Sequence, residues 1–254
     1  IKSVALFPVI NSNKKDADGS EAINNNNLLC TAIKEIKSAA PEIIIISDVA
    51  LDPYTSHGHD GILINDYVDN DKTLDQLVKQ SIALAKSGAD ILAPSDMMDG
   101  RIKSIRKALE ANDYKNTILL SYAAKYSSKF YGPFRNAVGS SSNLGKSSKA
   151  EYQMDVANSD EALHEVALDL NEGADIVMVK PGMPYLDIIT KVKDTFNVPT
   201  FAYQVSGEYS MLKSAINNQW LESDVIIESL LCFKRAGADA VLTYAAKEII
   251  KELN

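Results

Sequence analysis

Short, uninterrupted apolar runs alternate along this chain with longer segments in which apolar residues recur at every third or fourth position. Apolar runs of this length are typical of strands that are buried on both faces of a parallel sheet, and the longer period is typical of helices. The predicted strands comprise residues 4–9, 43–49, 91–94, 118–123, 176–179, 200–205 and 240–244. The predicted helices comprise residues 24–40, 73–87, 101–111, 159–172, 185–196, 209–217 and 223–236.

A Gly-Ala-Asp triplet recurs at residues 88–90, 173–175 and 237–239, each time after a helical segment and before an apolar run. Glycine is favoured just after a helix because it adopts the left-handed conformation that ends many helices. The triplet therefore predicts the loop from helix to strand of a repeated βα unit. Strict alternation of strands and helices predicts an α/β fold with a parallel sheet.

Residues whose side chains could take part in catalysis or binding follow several different predicted strands, which favours a closed barrel over an open doubly wound sheet. We therefore predict a single domain, residues 1–254, with the (β/α)₈ fold of a TIM barrel. Such a barrel needs an eighth strand, yet the first apolar run starts at residue 4 and the chain begins with Ile1 rather than Met. We expect the first βα unit to lie upstream, so that this chain is N-terminally truncated.

Composition and charge narrow the class of protein. Hydrophobic residues make up 46% and charged residues 24% of the chain, as in ordinary soluble globular proteins. The net charge of −8 argues against nucleic acid or an anionic membrane as a partner. We expect a cytoplasmic location, because neither an apolar run of about 20 residues nor a signal-peptide pattern is present. Cys30 and Cys232 lie in predicted helices and resemble small buried hydrophobic residues.

Two lysines end two of the predicted buried strands. Lys125 ends the fourth strand, and Lys180 ends the fifth and is followed by Pro181 and Gly182. An unpaired lysine among apolar residues is costly unless its amine is neutral, and a neutral amine attacks carbonyl groups. On neighbouring strands, each ammonium would also lower the pKa of the other. The pattern predicts a Schiff-base enzyme, although lysines that reach the rim of the sheet or pair with carboxylates would look the same.

An acidic loop, residues 52–71, follows the second predicted strand and is expected to be irregular. Its carboxylates could hold Mg²⁺, and its histidines make zinc conceivable, but the loop has no cysteine for a thiolate zinc site. The alternative is that the aspartates cap turns or pair with lysines. The candidate ligands are Asp48, Asp52, Asp60, His57 and His59.

Further residues at the same end of the predicted barrel could bind carboxylates. Arg135 follows Phe134 in the loop after the fourth strand, and its guanidinium fork can bind two carboxylate oxygens. Residues 139–150 are rich in Gly, Ser, Asn and Lys and are expected to form a mobile lid, which would bring in Lys149 and Gln153 on closing. Neutral donors for a second carboxylate follow the last two strands and are Ser206 and Tyr244.

Five longer motifs, spread over the whole chain, resemble those of a known family. They are Ser47-Asp-Val-Ala-Leu-Asp-Pro-Tyr-Thr-Ser-His-Gly-His-Asp-Gly61, Ala93-Pro-Ser-Asp-Met-Met-Asp-Gly100, Lys125 with Phe130-Tyr-Gly-Pro-Phe-Arg135, Met178-Val-Lys-Pro-Gly182 and Tyr203-Gln-Val-Ser-Gly-Glu-Tyr209. Through these motifs the chain resembles the porphobilinogen synthases, also called 5-aminolevulinate dehydratases.

The resemblance implies a TIM-barrel lyase that condenses two molecules of 5-aminolevulinate into porphobilinogen with loss of two waters, in tetrapyrrole and haem biosynthesis. It implies that Lys125 and Lys180 form the two Schiff bases. Lys149 stands where many members have an arginine, so its contact with a substrate carboxylate is less directional. The implied substrate-binding residues are Arg135, Lys149 and Gln153 for one substrate and Ser206 and Tyr244 for the other, and the supporting residues are Asp48, Asp52, Ser95 and Phe134.

The metal content implied by the resemblance follows from three positions in and just before the acidic loop. Zinc-dependent members carry three cysteines there, and this chain has Ala50, Asp52 and Asp60. Without thiolates we predict no catalytic zinc. The aspartate pattern resembles a magnesium-responsive subgroup in which a glutamate away from the active site binds an allosteric Mg²⁺ through waters, and Glu165 is at the matching position.

The resemblance also implies a homo-oligomer, because the family assembles as homo-octamers through an N-terminal arm that precedes the part matched here. The expected ligand is 5-aminolevulinate, with no nucleic acid or membrane partner. The residues alone leave two other functions open. One is an aldolase-like lyase with a single essential lysine, and the other is a non-catalytic subunit or cation-binding scaffold that uses the acidic loop.

Overall fold

The computed structural model describes residues 1–138 and 148–250. Its strands are β1 (Ser3–Leu6), β2 (Ile44–Val49), β3 (Ile62–Ile64), β4 (Tyr67–Asp69), β5 (Ile91–Pro94), β6 (Ile118–Lys125), β7 (Ile176–Lys180), β8 (Thr200–Tyr203) and β9 (Ala240–Leu242). Its helices are α1 (Leu28–Ala39), α2 (Asn70–Ser87), α3 (Arg101–Ala111), α4 (Gly132–Val138), α5 (Asp160–Glu172), α6 (Leu186–Phe196), α7 (Ser206–Asn217), α8 (Val225–Arg235) and α9 (Ala246–Ile249).

Seven strands form one sheet in the order β1-β2-β5-β6-β7-β8-β9, and every neighbouring pair is parallel. The carboxyl ends of all seven strands therefore lie at the same end of the sheet. The edge strands β1 and β9 line one common cavity, so the sheet is nearly closed into a barrel. The predicted barrel fold is confirmed, and its interior is filled by side chains such as Ile46, Leu120 and Met178.

All seven predicted strands and all seven predicted helices are present, with differences at their ends. The strands β6 and β7 extend to Lys125 and Lys180, so both lysines belong to the ladder. The first helix begins at Leu28, because the Asn27 side chain accepts a hydrogen bond from the Cys30 backbone N–H at 2.8 Å and caps it there. Cys30 is buried as predicted, whereas Cys232 is half-buried. In the described ranges, no helix is long and apolar enough to cross a membrane.

The prediction that residues 52–71 are irregular is wrong for the second half of this segment. Strands β3 and β4 form an antiparallel hairpin there. Its two turn residues, Asn65 and Asp66, both have positive φ, at 51° and 67°. Two-residue hairpin loops favour this conformation, and asparagine and aspartate tolerate it well. Residues 139–147, most of the predicted lid, lie outside the described residues.

The Gly-Ala-Asp triplets end helices and begin strands, as predicted, and the structure adds a role for their aspartates. In the third triplet Gly237 has a φ of 103°, and the aliphatic stem of Lys193 packs against it. The Asp239 carboxylate accepts a hydrogen bond from the Thr200 backbone N–H at 2.7 Å and pairs with Lys193 at 2.9 Å. Each aspartate thus ties the start of its strand to the neighbouring strand. In the first triplet, Asp90 pairs with Lys37 and accepts a hydrogen bond from the Ile45 backbone N–H, and Lys37 packs against Gly88. In the second, Asp175 pairs with Arg106 and accepts from the Leu119 backbone N–H, and Arg106 packs against Gly173.

A buried ion cluster joins α3, α5 and β6. The Arg101 guanidinium donates to both carboxylate oxygens of Asp169 at 3.1 Å and to the Ser121 hydroxyl at 3.0 Å. Asp96, in the loop after β5, lies 3.8 Å from Arg101 Nε, and burial raises the pKa of Asp96 to about 6 even though Arg101 opposes this. Only 2% of the Arg101 side chain and 3% of the Asp169 side chain are exposed. Removal of either partner would leave a buried charge without its counterion.

We predict that Asp169→Asn lowers the free energy of unfolding by about 3–5 kcal/mol, because Arg101 then stays buried without its bidentate carboxylate. The control is Asp113→Asn, which removes a pair with Lys115 whose side chains are 89% and 63% exposed. Exposed pairs contribute little to stability, so no measurable change is expected for the control. Urea unfolding followed by circular dichroism measures both variants. Equal losses in the two would contradict the role given to the buried cluster.

Candidate active site

Lys125 and Lys180 are register partners at the carboxyl ends of β6 and β7. The register between these strands shifts by one residue between Ser121 and Ala124, which is a β-bulge in β6. Without this extra residue, Lys180 would face Ala124 instead of Lys125. Both lysines are buried, with 5% and 8% of their surface exposed. The predicted proximity of the two lysines is therefore present in the fold.

Aromatic rings surround the Lys180 amine. Its Nζ lies 4.8 Å from the ring centre of Tyr203, 5.0 Å from that of Tyr122 and 5.3 Å from that of Tyr131. Burial, and then the charge of Lys125, lower the pKa of Lys180 from 10.5 to about 7, against the opposing effect of nearby carboxylates. About half of the Lys180 side chains are then neutral at pH 7, so this amine is available as a nucleophile.

Lys125, in contrast, is held by oxygen atoms. Its Nζ donates a hydrogen bond to the backbone carbonyl of Ser95, and Asp60 Oδ1 lies 3.8 Å away. The expectation of an unpaired lysine is therefore wrong for Lys125. The physical reason is that the acidic loop after β2 lies against the carboxyl ends of the strands and brings in a carboxylate that sequence spacing could not place.

Asp60 is also bound by Lys149 and Tyr152. Lys149 Nζ lies 2.8 Å from Asp60 Oδ2 and 3.0 Å from Asp52 Oδ2, and Tyr152 donates its hydroxyl proton to Asp60 Oδ2 at 2.8 Å. Burial alone would raise the pKa of Asp60, but the charges of Lys149 and Lys125 hold it at about 2. Asp60 is therefore an ionised carboxylate that Lys125 and Lys149 share.

Asp48 is a second carboxyl group at this place. Burial, and then the charge of Asp52, raise the pKa of Asp48 to about 7, while Ser95 and both strand-end lysines act in the opposite direction. Its Oδ1 atom has no hydrogen-bond partner in the described part of the chain. Asp48 can therefore take up or release a proton near neutral pH, beside two amines.

These groups line one cleft. Arg135 lies at its edge, half-buried, with its guanidinium 5.3 Å from the ring centre of Tyr131. The cleft brings together ten of the residues predicted from sequence, namely Asp48, Asp52, Asp60, Ser95, Lys125, Phe134, Arg135, Lys149, Gln153 and Lys180.

Ser206 and Tyr244 lie beside this cleft instead of lining it. Ser206 is the first residue of α7, and its Oγ accepts a hydrogen bond from the Phe134 backbone N–H at 3.0 Å. The Tyr244 hydroxyl lies 3.3 Å from that of Tyr203, and Tyr244 also lines the cavity between β1 and β9. Ser206 and Tyr244 thus contact Phe134 and Tyr203, whose ring centres lie 5.7 Å and 4.8 Å from Lys180 Nζ. Both predicted residues are therefore neighbours of the aromatic rings around Lys180.

The histidines of the acidic loop contact other protein groups. His57 Nε2 lies 3.1 Å from the carbonyl oxygen of Ala17, and His59 Nδ1 lies 3.2 Å from the Tyr152 hydroxyl. Within residues 1–138 and 148–250, no three His, Cys, Asp or Glu side chains are grouped as ligands for a metal ion.

The Lys149 ammonium lies between Asp52 and Asp60, so these two carboxylates do not fit a cation site in this arrangement. The absence of catalytic zinc stays a prediction. Glu165 is half-buried on α5 and lines a separate cavity. The other acidic residues of that cavity are Asp99, Glu151, Asp155 and Glu161.

Sequence reasoning missed Tyr152 and the rings around Lys180. Tyr131 and Tyr203 lie inside motifs that carried the family resemblance, which is the only signal that pointed to them. Tyr122 is an ordinary residue of an apolar run, and Tyr152 follows the predicted lid without any motif. Their roles depend on which elements meet at the cleft.

This chain is similar over its whole length to known proteins of one family. A family model described as delta-aminolevulinic acid dehydratase matches residues 1–252. A delta-aminolevulinic acid dehydratase of Bradyrhizobium diazoefficiens is 55% identical over 254 residues, which cover 100% of this chain and 72% of the relative. One of Methanothermus sociabilis is 52% identical over 253 residues, which cover 100% of this chain and 78% of the relative.

A solved structure gives the same result for the fold. The crystal structure of delta-aminolevulinic acid dehydratase (porphobilinogen synthase) from Toxoplasma gondii ME49, in complex with the reaction product porphobilinogen, superimposes with a TM-score of 0.97 at 47% identity. The superposition covers 99% of this chain and 72% of that chain. From the match over nearly its whole length, this chain belongs to the delta-aminolevulinic acid dehydratase family.

Proposed function

We propose that this protein condenses two molecules of 5-aminolevulinate into porphobilinogen, and that Lys125 and Lys180 each form a Schiff base with one of them. The observation that carries the proposal is the pairing of the two lysines in register at the mouth of one cleft. Two buried amines at one cleft match a reaction that joins two keto substrates. Family membership supports the same reaction, since the related Toxoplasma enzyme is described in complex with porphobilinogen.

The reaction begins at Lys180, whose amine is partly neutral at physiological pH. Its Nζ attacks the ketone carbon of one 5-aminolevulinate, and the ketone oxygen leaves as water when the imine forms. The imine nitrogen withdraws electrons and makes the adjacent carbon acidic. The pKa of Asp48 is about 7, close to physiological pH, and Asp48 lines the same cleft as both lysines, so it can accept and donate the protons of these steps.

Lys125 carries the second substrate in the same way. The Asp60 carboxylate, 3.8 Å from Lys125 Nζ, stabilises the positive charge of its protonated imine. One C–C bond and one C–N bond then join the two substrates, both ketone oxygens having left as water, and both lysine amines are released. The order of the two bond formations is left open.

Orientation is the main entropic contribution for two substrates that react with each other. Arg135, Lys149 and Gln153 would bind the carboxylate of one substrate, and Ser206 and Tyr244 that of the other. Lys149 is paired with Asp52 and Asp60, so a substrate carboxylate would compete with these two anions for its ammonium. The product is a pyrrole, which fits a place early in tetrapyrrole and haem biosynthesis.

We predict that sodium borohydride, added with 5-aminolevulinate, traps one adduct on Lys125 and one on Lys180, because a reduced imine stays bound to the amine. Peptide mass spectrometry locates the adducts. Lys125→Met and Lys180→Met should each lose the adduct at the changed position and lower pyrrole formation by a factor of about 10³ or more. Lys115→Met, at an exposed position, is the control and should change neither readout. Absence of adducts on both lysines in the unmodified protein would refute the mechanism.

The pH dependence of trapping tests the state of Lys180. With a pKa of about 7, its neutral fraction rises about tenfold from pH 6 to pH 8 and then levels off. An ordinary lysine would give a rise of about a hundredfold without a plateau. The Asp48 carboxylate raises the pKa of Lys180, so Asp48→Asn should move the midpoint to lower pH. Initial rates of adduct formation at Lys180 measure both, and a midpoint near that of free lysine would contradict the assignment.

We also propose that Glu165 binds an allosteric Mg²⁺ through water molecules. Burial, and then the charge of Asp169, raise the pKa of Glu165, while Arg101 lowers it and Asp99 and Glu161 add smaller effects that raise it. A divalent cation would offset this crowding of negative charge, and one carboxylate with several waters is a usual way to hold Mg²⁺. Because Glu165 is not among the residues that line the cleft, the role of this cation would be regulatory.

We expect Glu165→Gln to weaken Mg²⁺ binding by about tenfold or more, since the carboxylate that accepts hydrogen bonds from the waters of the cation is lost. Isothermal titration calorimetry with magnesium chloride gives this affinity without reference to turnover. Glu110→Gln, an exposed glutamate on α3, changes the net charge equally and is the control. Unchanged binding in Glu165→Gln would exclude this site.

A further inference from the structure

Glu208 is a fully buried carboxyl group that the proposed chemistry does not use. It is the third residue of α7 and is 0% exposed. Its Oε2 accepts hydrogen bonds from the backbone N–H groups of Val205 and, at 3.4 Å, of Gly182, and its Oε1 accepts one from the Met183 N–H. A buried carboxylate is costly, and this one is compensated by main-chain donors from two separate segments.

The two segments that Glu208 joins carry groups of the active site. Gly182 and Met183 lie two and three residues after Lys180, at the end of β7. Val205 directly precedes Ser206, at the start of α7. The Glu208 side chain is therefore a bridge between the strand end that carries the Lys180 amine and the helix start that carries the Ser206 hydroxyl.

Close packing limits the movement of both segments on their other sides. A Cβ atom at Gly182 would lie 2.1 Å from the Phe233 ring, and one at Gly207 would lie 2.3 Å from the Phe130 carbonyl oxygen. Each backbone is thus in direct contact with its neighbour, and the Glu208 bridge adds a fixed separation between the two. The distance from Lys180 to Ser206 is consequently built into the fold.

We propose that Glu208 is a positioning residue that sets the distance between the Lys180 amine and the Ser206 hydroxyl, and thereby selects keto acids with two methylene groups between ketone and carboxylate. The inference rests on the proposed function and adds that Ser206 binds the carboxylate of the substrate that Lys180 attacks, because Ser206 bonds the Phe134 backbone and the Phe134 ring lies 5.7 Å from Lys180 Nζ. A longer keto acid would place its ketone carbon beyond the Lys180 amine when its carboxylate is bound.

The test compares two keto acids that differ by one methylene group. 4-Oxopentanoate has two methylene groups between ketone and carboxylate, and 5-oxohexanoate has three. Each is incubated with the full chain and cyanoborohydride at pH 8, and the initial rate of adduct formation at Lys180 is measured by peptide mass spectrometry. One methylene is commonly worth about 10–200-fold in discrimination, so we expect the unmodified protein to prefer 4-oxopentanoate by about tenfold or more.

The decisive variant is Glu208→Gln. The glutamine NH₂ group is a donor and replaces an oxygen that accepted a hydrogen bond from a backbone N–H, so one bond of the bridge is lost and the two segments separate. The preference for 4-oxopentanoate over 5-oxohexanoate should then fall to within about threefold. Glu228→Gln, an exposed glutamate in the first turn of α8, is the matched control and should keep the preference. A purely structural role for Glu208 would lower both rates together. An unchanged ratio in folded Glu208→Gln therefore overturns the inference.

The unmodified protein provides a second test if Glu208→Gln fails to fold. Burial raises the pKa of Glu208 to about 7, against the effect of the three N–H groups, so its carboxyl is largely protonated at pH 6 and bridges the segments less well. Tyr131 and Tyr185 interact electrostatically with Glu208, and their pKa values are raised above 10, so both stay neutral. Protonation of Lys180 slows both acids equally and cancels in the ratio.

We therefore expect the preference for 4-oxopentanoate to be at least about threefold smaller at pH 6 than at pH 8. A ratio that is the same at both pH values contradicts the inference. Equal trapping of the two acids at pH 8 overturns the positioning role alone and leaves the proposed function intact. Trapping of neither acid, nor of 5-aminolevulinate, would instead overturn the proposed function.

Discussion

The β-bulge in β6 is the structural feature on which the proposed chemistry of the two lysines depends. One extra residue between Ser121 and Ala124 shifts the register with β7, and only after this shift does Lys125 face Lys180. Successive residues of a strand point to opposite faces of a sheet, so a displacement by one residue decides whether two side chains share a cavity. The two amines meet because the ladder is irregular at this point.

The two lysine side chains are chemically identical, but their surroundings favour different charge states of the two amines. Lys180 lies among aromatic rings beside another ammonium, and a shift of its pKa to about 7 corresponds to roughly 5 kcal/mol against its charged form. Lys125 lies beside the Asp60 carboxylate and a backbone carbonyl. One amine is therefore prepared for nucleophilic attack, and the other is placed where a positive charge is stabilised.

Opposite ends of the barrel serve different purposes. At the amino ends of the strands, the aspartates of the Gly-Ala-Asp triplets bind backbone N–H groups of neighbouring strands and the basic residues of adjacent helices. At the carboxyl ends, loops bring together the charges of the cleft. The carboxyl ends of TIM-barrel strands are the usual place for catalysis, because the loops there can vary while the other end maintains stability.

The sequence by itself determined the alternation of strands and helices, the three helix ends at the Gly-Ala-Asp triplets and the position of both lysines at strand ends, because apolar periodicity and glycine conformation are local properties. Its residue pattern and family resemblance also singled out ten residues that line the cleft. Only the tertiary structure decided the bulge in β6, the pairing of Asp60 with Lys125 and Lys149, and the role of Glu208 between two segments. These depend on contacts between residues far apart in the chain, and no local pattern encodes which distant backbone or charge a side chain will meet.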